Sequence, residues 1–455
     1  MKKKLLTTLL GASLLLAACG GEKAADKPAT EAETIKIGAM GPLTGPVAIY
    51  GISATNGLKL AVDEINANGG ILGKQIELNL LDEKGDSTEA VNAYNKLVDW
   101  GMVALVGDIT SKPSVAVAEV AAQDGIPMIT PTGTQLNITE AGSNVFRVCF
   151  TDPYQGEVLA KFAKDKLEAK TVAIMSNNSS DYSDGVANAF AAEAEKQGIQ
   201  VVAREGYSDG DKDFKAQLTK IAQQNPDVLF IPDYYEQDGL ISIQAREVGL
   251  KSVIVGSDGW DGVVKTVDPS SYAAIEDVYF ANHYSTKDTN EKVQNFIKNY
   301  KEKYNDEPSA FSALSYDTAY LLKAAIEKAG TTDKEAVAKA IKELEFEAAR
   351  TGITEQEAKD NNINYKTVFV DGEDHAAYYP GGEDVYIKLI YNADTKVLLG
   401  AQVAGKKGAA LRADSLAVAI QNKMTVKDLA NMDFLYAPPF ATTWDIMNVA
   451  GNVAK

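Results

Sequence analysis

The segment Ile35-Lys36-Ile37-Gly38-Ala39-Met40, with the stretch from Tyr50 to Asn66 behind it, decides the fold of this chain. The first segment is a short and mostly apolar run, and the second places apolar side chains at helical spacing. This unit of a strand and a helix is repeated along the chain. Further strands are predicted at Ile76 to Leu81, Val103 to Val106 and Met128 to Thr130, with helices at Ser87 to Asp99 and Pro113 to Asp124. The repetition predicts a parallel sheet covered by helices.

The same alternation resumes after Asp152 and Pro153. Strands are predicted at Thr171 to Met175, Gln200 to Glu205, Val228 to Ile231 and Ser252 to Gly256, and helices near Tyr182 to Gln197, Asp213 to Gln224 and Gln237 to Glu247. Two blocks of this kind indicate two lobes. A chain of 455 residues is also long enough for two or three domains. The predicted fold class is therefore α/β, with a parallel sheet in each of two lobes.

The N-terminus has the pattern of a bacterial lipoprotein signal. Lys2, Lys3 and Lys4 precede a short apolar run from Leu5 to Leu16, which is too short for a spanning helix, and Ala17-Ala18-Cys19 closes it. We expect residues 1–18 to be the signal peptide, Cys19 to carry a lipid, and residues 19–33 to form a flexible tether. The alternative is an ordinary cleaved signal peptide with a cysteine near its cleavage site.

Composition excludes several classes of function. The formal net charge of −18 and the pI near 4.7 argue against nucleic acid as a partner, because such binding needs a basic surface. Apart from Cys19 the sole cysteine is Cys149, so an intrachain disulfide is not expected once Cys19 is acylated. With His283 and His375 as the only histidines, neither a zinc site nor a Cys/His nucleophile pair is expected.

Polar and aromatic residues collect where the predicted strands end. No Gly-x-Gly-x-x-Gly or Gly-x4-Gly-Lys-Ser/Thr loop is present, so we predict no cofactor held by such a phosphate cradle. Ligands of open α/β sheets bind at the carboxyl ends of the strands. The candidates there are Gly41 to Pro46 with Tyr50, Thr110-Ser111 and Thr130 to Thr134 in the first block, and Asp181-Tyr182, Asp233 to Tyr235 and Ser257 to Trp260 in the second.

Four segments between Ile35 and Phe346 carry a family resemblance. They are Gly45 to Gly51, Asp63 to Ile71, Met128 to Pro131 and Asn225 to Val228. Their order and spacing resemble the leucine/isoleucine/valine-binding-protein family of ABC transporter receptors, which have the type I periplasmic binding fold. The resemblance implies a first lobe at about 34–150 and 285–346, a second lobe at about 151–284, a small amino acid as ligand, and the permease subunits of an ABC transporter as partners.

The resemblance assigns ligand contacts in the first lobe. Ser111 falls where the family binds the α-carboxylate of the ligand through a hydroxyl. Thr134 supplies a second hydroxyl, Thr132 offers backbone groups, and Tyr50 falls at the pocket wall that faces the ligand side chain. From the residues alone, Ser111 or Thr134 could instead cap the helix that follows it.

In the second lobe the resemblance assigns Tyr182 and Tyr234 to the aromatic positions of the family and Asp258 to the position that binds the α-ammonium. Branched-chain receptors have a glutamate there, and aspartate is one methylene shorter. The identity of the ligand is thereby left open, and a small amide or polar ligand such as urea is an alternative. From the residues alone, the two tyrosines could be packing residues and Asp258 a turn residue.

The physical requirements of a zwitterion agree with this assignment. Its carboxylate needs neutral or amide donors, and its ammonium needs a carboxylate, because such charge-assisted hydrogen bonds contribute about 1.5 to 3 kcal/mol each. Three or four of them, less the cost of immobilising the ligand, are compatible with micromolar binding at about −8 kcal/mol.

Beyond Phe346 the chain resembles another family. Its motifs are Ala349 to Gly352, His375 to Pro380, Leu399 to Val403, Arg412 to Asp414 and Tyr436 to Phe440. They resemble the C-terminal dimerisation domain of coenzyme A disulfide reductase and related flavin disulfide oxidoreductases. The resemblance implies a small α+β domain over residues 347–455 and a homodimer, with Tyr378 or Tyr379 and Tyr436 as interface residues that have no active-site cysteine to assist.

Two interpretations of this combination stay open. The appended domain makes the binding protein a dimer, or it is the remnant of a gene fusion that has shortened and impaired the first lobe. A redox enzyme is excluded by the lack of a flavin loop and of paired cysteines. We therefore expect an exported binding protein that is not an enzyme, lies at the outer face of the cytoplasmic membrane or in the periplasm, and holds no metal or cofactor.

Overall fold

The structure is a computed structural model that describes residues 34–288, 291–344, 347–376, 378, 380, 382–405, 407–434, 437 and 441–454. The signal peptide, the lipid site Cys19 and the tether therefore lie outside the described residues, as do Tyr379 and Tyr436. Within the described residues, no helix is both long and apolar enough to cross a membrane.

The first lobe is built on a five-stranded parallel sheet with the order β2-β1-β3-β4-β5. The strands are β1 (Ile35–Gly41), β2 (Ile76–Asp82), β3 (Ala104–Val106), β4 (Met128–Thr130) and β5 (Val145–Arg147). The helices between them are α1 (Ala48–Ala67), α2 (Ser87–Trp100), α3 (Ser111–Asp124) and α4 (Leu136–Glu140). All five strands run in one direction, so the loops that follow them share one edge of the sheet.

The second lobe repeats this plan after Thr151, with a parallel sheet in the order β10-β9-β8-β6-β7. Its strands are β6 (Thr171–Asn177), β7 (Gln200–Tyr207), β8 (Val228–Ile231), β9 (Val253–Gly256) and β10 (Tyr279–Phe280). Its α-helices are α5 (Asp152–Asp165), α6 (Asp181–Lys196), α7 (Lys215–Gln224) and α8 (Tyr235–Glu247), and short 3₁₀ helices span Asp258–Trp260, Val263–Lys265 and Pro269–Ala274.

The chain then returns to the first lobe through three helices. These are α9 (Glu291–Tyr304), α10 (Ala310–Ala329) and α11 (Lys334–Lys342). Leu322 and Ile326 of α10 share a core with Ile37 of β1 and Ile65 of α1. Helices α1 and α10 lie so close at Gly57 that a Cβ atom there would be 2.0 Å from the Ser312 carbonyl oxygen, and a larger residue would force the helices apart.

Residues from Glu347 onward form a separate antiparallel sheet with the order β11-β14-β13-β12. The strands are β11 (Glu347–Gly352), β12 (Tyr365–Glu373), β13 (Asp384–Asn392) and β14 (Leu398–Gly405), and the helices are α12 (Glu355–Asp360), α13 (Ala409–Gln421), α14 (Val426–Ala430) and α15 (Ile446–Val453). Leu389, Leu416 and Leu429 belong to a core of its own. Thr425 caps α14, and its hydroxyl accepts from the Asp428 amide at 3.2 Å.

The predicted fold class is confirmed by the two parallel sheets and the small antiparallel sheet. A helix boundary in the second lobe was wrong, because α7 begins at Lys215 and not at Asp213. The Asp213 carboxylate accepts a hydrogen bond from the Lys215 amide at 3.1 Å, which keeps Asp213 outside the helix as a turn residue.

Candidate functional site

The two sheets bring the predicted ligand residues to one narrow cavity between the lobes. About 220 Å³ there is not filled by atoms, the open solvent at its mouth included, so little enclosed space is left in this arrangement of the lobes. Six of the seven predicted residues line it, together with four that were not assigned to the ligand. The ten lining residues are Ile109, Thr110, Ser111, Thr132, Thr134, Tyr182, Tyr234, Asp258, Gly259 and Phe311.

The loop after β4 is shaped by the side chain of Thr130. Its hydroxyl donates to the Asp108 carbonyl at 2.6 Å and accepts from the Gly133 amide at 2.8 Å. The Thr132 hydroxyl donates to the Ile109 carbonyl at 2.6 Å. Thr132 therefore uses its hydroxyl within the first lobe and has only backbone groups to offer a ligand, in agreement with the prediction.

Ser111 and Thr134 lie side by side in this loop edge. The Thr134 amide donates to Ser111 Oγ at 3.2 Å, and the two hydroxyl oxygens are 3.4 Å apart. Ser111 begins α3, and the residue before it, Thr110, makes no side-chain cap. Ser111 Oγ accepts from the Thr134 amide, so its own proton is left for the Thr134 hydroxyl or for a ligand. The capping alternative for Ser111 thus finds no support in these contacts.

Tyr182 holds Asp258 in position on the opposite side of the cavity. Its hydroxyl donates to Asp258 Oδ1 at 2.6 Å, accepts from the Gly259 amide at 3.0 Å, and lies 2.8 Å from Ser257 Oγ. Asp258 is 4% exposed and opens a 3₁₀ helix directly after β9. The carboxylate is thereby fixed at the carboxyl end of its sheet and directed by a neighbouring tyrosine.

Tyr234 lies between the lobes, where its ring packs on two other tyrosines. It stacks on Tyr182 with ring centroids 5.1 Å apart and meets Tyr50 edge to face at 5.5 Å. The preceding Asp233 is buried and accepts a short hydrogen bond from Tyr207. Tyr234 is also the N-cap residue of α8, without a side-chain cap bond, so its ring is left to face the cavity.

Tyr50 was predicted at the pocket wall, and it lies one layer behind it. Its ring stacks on Phe311 at 4.3 Å, and it is Phe311 that lines the cavity. The Tyr50 hydroxyl bonds across the lobes to the Gly259 carbonyl and accepts from the Tyr235 amide at 3.2 Å. Tyr50 therefore contacts the second lobe directly and supports the apolar wall through Phe311.

Four residues at or near the cavity were missed by the sequence analysis, namely Ile109, Asp152, Gln155 and Phe311. Phe311 comes from α10, far along the chain from the strand ends that were searched. Asp152 and Gln155 lie in the first turn of α5, where Asp152 followed by Pro153 was used only to mark a block boundary. The sequence signal for Asp152 is an aspartate at the start of a helix, close to the end of a strand. Ordinary helix-capping residues have the same position, so this signal does not identify a site residue.

Buried carboxyl groups give the site its electrostatic character. Burial raises the pKa of Asp152 to about 7 and that of Asp233 to about 6. Burial and the neighbouring Asp258 raise the pKa of the Tyr182 hydroxyl well above its usual value, so Tyr182 stays a neutral donor. A buried site of this kind favours a ligand that brings a positive group to Asp258.

The arrangement fits recognition better than bond-making chemistry. Burial raises the pKa of the Cys149 thiol, so the nucleophilic thiolate is disfavoured, and burial lowers the pKa of His283. In the part of the chain that the structure describes, no three His, Cys, Asp or Glu side chains form a group that could hold a metal ion. What the cavity offers is hydroxyl and amide donors on one side and a carboxylate on the other.

Comparison with known proteins gives two family matches. Residues 34–376 match the sequence model of the periplasmic binding protein family. Residues 328–447 match that of the dimerisation domain of pyridine nucleotide-disulphide oxidoreductases. Both resemblances inferred from the sequence are thereby confirmed.

Individual relatives agree with the first match. A Leu/Ile/Val-binding protein of Rhizobium johnstonii is 37% identical over 345 residues, which cover 75% of this chain and 90% of the relative. The leucine-binding protein LivK of Thermotoga maritima is 36% identical with a TM-score of 0.64, over 68% of this chain and 87% of that one. The branched-chain amino acid transporter substrate-binding protein LivJ of Streptococcus pneumoniae, solved with isoleucine, is 34% identical with a TM-score of 0.62, over 68% and 88%.

By their names, these relatives bind leucine, isoleucine or valine, and one is the substrate-binding protein of a branched-chain amino acid transporter. The family match spans both lobes and the cavity between them. The chain therefore belongs to the periplasmic binding protein family, with relatives among the Leu/Ile/Val-binding proteins and a C-terminal segment that matches the oxidoreductase dimerisation domain.

Proposed function

We propose that this protein is the substrate-binding lipoprotein of an ABC importer, which captures a small amino acid of the branched-chain type between its lobes and delivers it to the permease. The observation that carries the proposal is the placement of Asp258 on one side of the cavity and of Ser111 and Thr134 on the other. One side offers an anion and the other neutral donors, which is the complement of an amino acid zwitterion.

The α-carboxylate is assigned to the first lobe, where the hydroxyls of Ser111 and Thr134 lie 3.4 Å apart and both can donate. The backbone groups of Thr132 lie in the same loop. The α-ammonium is assigned to Asp258, which Tyr182 orients, and the ring of Tyr234 covers the cavity beside them. Binding then needs both lobes, and a ligand with only one charged group would leave half of this polar surface unpaired.

The ligand side chain is assigned to the apolar part of the cavity. Ile109 and Phe311 line that part, and Tyr50 stacks behind Phe311. Aliphatic and aromatic walls favour a branched aliphatic side chain, because a polar one would lose its water without gaining hydrogen bonds. The names of the relatives, which bind leucine, isoleucine and valine, support the same class of ligand.

The lipid anchor and the permease belong to the proposal as well. Cys19 follows a signal-like segment, and relatives with this fold serve transporters outside the cytoplasm. We propose that acylated Cys19 holds the protein at the outer face of the membrane, close to the permease. Cys19→Ala is expected to move the protein from the membrane fraction to the soluble exported fraction. Recovery of both forms in the membrane fraction would contradict the anchor.

We also propose that residues 347–455 form a homodimer contact. The dimerisation-domain match supports this, as do large apolar side chains that are exposed on or beside its helices. On helix α13, Leu411 is 75% exposed and Val418 62%, and Trp444, which precedes α15, is 62% exposed. Sedimentation velocity at several concentrations tests the proposal. A dimer that the double variant Leu411→Lys, Val418→Lys converts to monomer would support it, and a strict monomer would refute it.

Isothermal titration calorimetry with leucine, isoleucine, valine, serine, phenylalanine and urea tests the main proposal. Saturable binding of the branched-chain amino acids, about micromolar in Kd, is expected. The ligand is expected to bind more weakly when either charged group is blocked, as in leucine amide and N-acetyl-leucine. Folded protein that binds none of the amino acids would refute the proposal, and binding of urea alone would replace it with the amide alternative.

A further inference from the structure

A tyrosine of the second lobe bonds to the start of helix α1 in the first lobe. The Tyr235 hydroxyl donates to the Pro46 carbonyl at 2.8 Å and accepts from the Ile49 amide at 3.2 Å. The first amides of a helix have no partner within the helix, and the N-cap residue Val47 makes no side-chain cap within the described residues. Tyr235, which is 2% exposed, therefore caps a helix of the opposite lobe.

A second contact of the same kind lies at the start of helix α10. The Ala310 amide of the first lobe donates to Asp261 Oδ2 of the second lobe at 2.7 Å. The N-cap residue Ser309 accepts from the Ser312 amide at 3.4 Å, so the Ala310 amide is left to Asp261. Asp261 directly follows the 3₁₀ helix that Asp258 opens. Two helices of the first lobe thus begin at a side chain of the second.

These two contacts lie outside the cavity. The ten residues that line the cavity do not include Tyr235 or Asp261. The lobes nevertheless approach closely there, since a Cβ atom at Gly262 would lie 3.1 Å from the Ile49 side chain. Both contacts join one lobe to the other, so they break when the lobes separate. They do not depend on which ligand lies in the cavity, because neither side chain reaches it.

We propose that Tyr235 and Asp261 are positioning residues that hold the lobes shut over the bound amino acid, and that they set how long each ligand stays bound without touching it. Tyr235 bonds to the residue before Tyr50, and Asp261 to the residue before Phe311. Both therefore fix the segments that carry the apolar wall. The inference rests on the proposed function, because a ligand must bind between the lobes to be held there.

The expected effect is on dissociation of the ligand and not on its association. A ligand enters while the lobes are apart, when neither contact is formed, and it leaves only after both have broken. On opening, the bonded groups exchange each other for water, so each bond shifts the closing equilibrium only moderately. The closed fraction enters the apparent affinity of every ligand in the same way, so the contacts are expected to change all affinities by one common factor.

Stopped-flow fluorescence with leucine, isoleucine and valine tests the role of Tyr235. Tyr235→Phe keeps the ring, which meets Tyr50 edge to face at 4.7 Å, and removes only the hydroxyl. The variant is expected to raise the dissociation rate of all three ligands by about threefold to tenfold. Its association rates and the ratios among its three Kd values are expected to stay at the wild-type values.

Asp261 offers an independent pair of variants. Asp261→Ala removes the acceptor of the Ala310 amide and is expected to raise the three dissociation rates as Tyr235→Phe does. Asp261→Asn keeps an acceptor without the charge and is expected to restore the wild-type rates. Tyr272→Phe is the control, because it removes a hydroxyl that bonds to the Val264 carbonyl within the second lobe, at 3.3 Å, and it is expected to change no rate. Circular dichroism establishes that each variant is folded.

Spin labels at Lys112→Cys and Lys212→Cys measure the opening of the lobes directly. These two exposed lysines lie on different lobes and line the same open cavity between them. The native Cys149 is buried and is not expected to be labelled. With saturating leucine, Tyr235→Phe and Asp261→Ala are each expected to show a larger population at the long distance between the labels than wild type does.

The outcomes distinguish this inference from the proposed function. If folded wild-type protein binds no amino acid, the proposed function fails and this inference fails with it. If wild-type protein binds leucine but Tyr235→Phe and Asp261→Ala keep its dissociation rates and label distances, the proposed function stands and only the role of these two residues is refuted. Altered ratios among the three ligands would also refute that role, because the residues would then act through the cavity.

Discussion

The hydroxyl of Tyr50 in the first lobe donates a hydrogen bond to the carbonyl oxygen of Gly259 in the second lobe. Gly259 follows Asp258 directly, so this contact between the lobes is one peptide away from the proposed ammonium acceptor. A Cβ atom at Gly259 would lie 2.2 Å from the Asp233 carbonyl oxygen, which requires glycine at this close contact. The contact between the lobes and the position of Asp258 therefore depend on the same short segment.

Tyr50→Phe removes this contact and is expected to weaken amino acid binding. The lost bond leaves the Gly259 carbonyl buried without its partner, which costs about 1 kcal/mol, or about fivefold in Kd. Calorimetry with leucine measures the change. Tyr94→Phe is the control, because it removes a hydroxyl bonded to Asp124 within the first lobe, at 3.0 Å. Equal affinity of Tyr50→Phe and wild type for leucine would show that this hydrogen bond between the lobes does not contribute to ligand binding.

Asp258→Asn is expected to weaken leucine binding by about 10- to 100-fold, because it removes the one carboxylate proposed for the ligand ammonium, worth about 1.5 to 3 kcal/mol. Tyr182 retains an acceptor in the asparagine, so the local structure is kept. The measurement is calorimetry, with leucine amide as a second ligand that also carries the ammonium. Asp258→Asn that binds leucine as tightly as wild type would place the ammonium elsewhere.

The length of the acceptor is tested separately by Asp258→Glu. The family resemblance implies a glutamate at this position in branched-chain receptors, whereas here Tyr182 fixes an aspartate at 2.6 Å. The added methylene must displace that hydroxyl or the ligand, so we expect weaker binding by a few-fold. Tighter binding by the glutamate variant would contradict this expectation. It would mean that the Tyr182 hydroxyl moves aside and that the short aspartate side chain limits the affinity of the wild-type protein.

The parts of this site that the sequence could predict are those set by local rules. Ser111, Thr134 and Asp258 each follow a strand of a parallel sheet, and the carboxyl ends of such strands meet at one edge. Phe311 could not be found in this way, because it reaches the cavity only through the packing of α10 on α1. Asp152 could not be told from a helix cap without the contacts of its side chain. Asp213 shows why the ends of helices are hard to predict. A side chain that bonds to the backbone decides where the helix begins, and this bond cannot be inferred from apolar spacing.

A pair of buried acids in the first lobe predicts an unusual dependence of stability on pH. Glu83 Oε1 and Asp108 Oδ2 are buried without a hydrogen-bond partner within the described parts of the chain. Burial and the charge of Asp108 raise the pKa of Glu83 to about 9, and burial raises the pKa of Asp108 to about 7. The folded state therefore holds protons that the unfolded state has released, so the free energy of unfolding falls as pH rises from about 4 to about 9.

Glu83→Gln is expected to reduce the fall in the free energy of unfolding with rising pH, because glutamine carries no charge. At about pH 8 the variant is expected to be more stable than wild type by on the order of 1 to 3 kcal/mol, and at about pH 5 the two are expected to be similar. Urea unfolding at both pH values measures the difference. Glu89→Gln, at a residue whose side chain is 46% exposed, serves as the control and is expected to show no such change with pH. A Glu83→Gln variant that is less stable at about pH 8 would contradict the prediction.

The C-terminal domain contains a buried ion pair between Arg412 and Asp445. Arg412 Nη2 donates to Asp445 Oδ2 at 2.7 Å and to the Asp374 carbonyl at 2.7 Å, and both side chains of the pair are at most 6% exposed. Arg412→Ala leaves a buried carboxylate unpaired, which is expected to cost about 3 to 5 kcal/mol. Arg350→Ala breaks an exposed pair with Glu357 and is expected to cost less than about 1 kcal/mol.

Differential scanning calorimetry separates the effect on this domain from that on the lobes. Because the domain has a core of its own, we expect Arg412→Ala to lower a C-terminal unfolding transition and to leave the transition of the lobes in place. Leucine affinity is expected to stay at the wild-type value, since the pair lies outside both lobes. A joint fall of both transitions, with weaker leucine binding, would instead mean that the first lobe depends on the domain that follows it and that the two act as one unit.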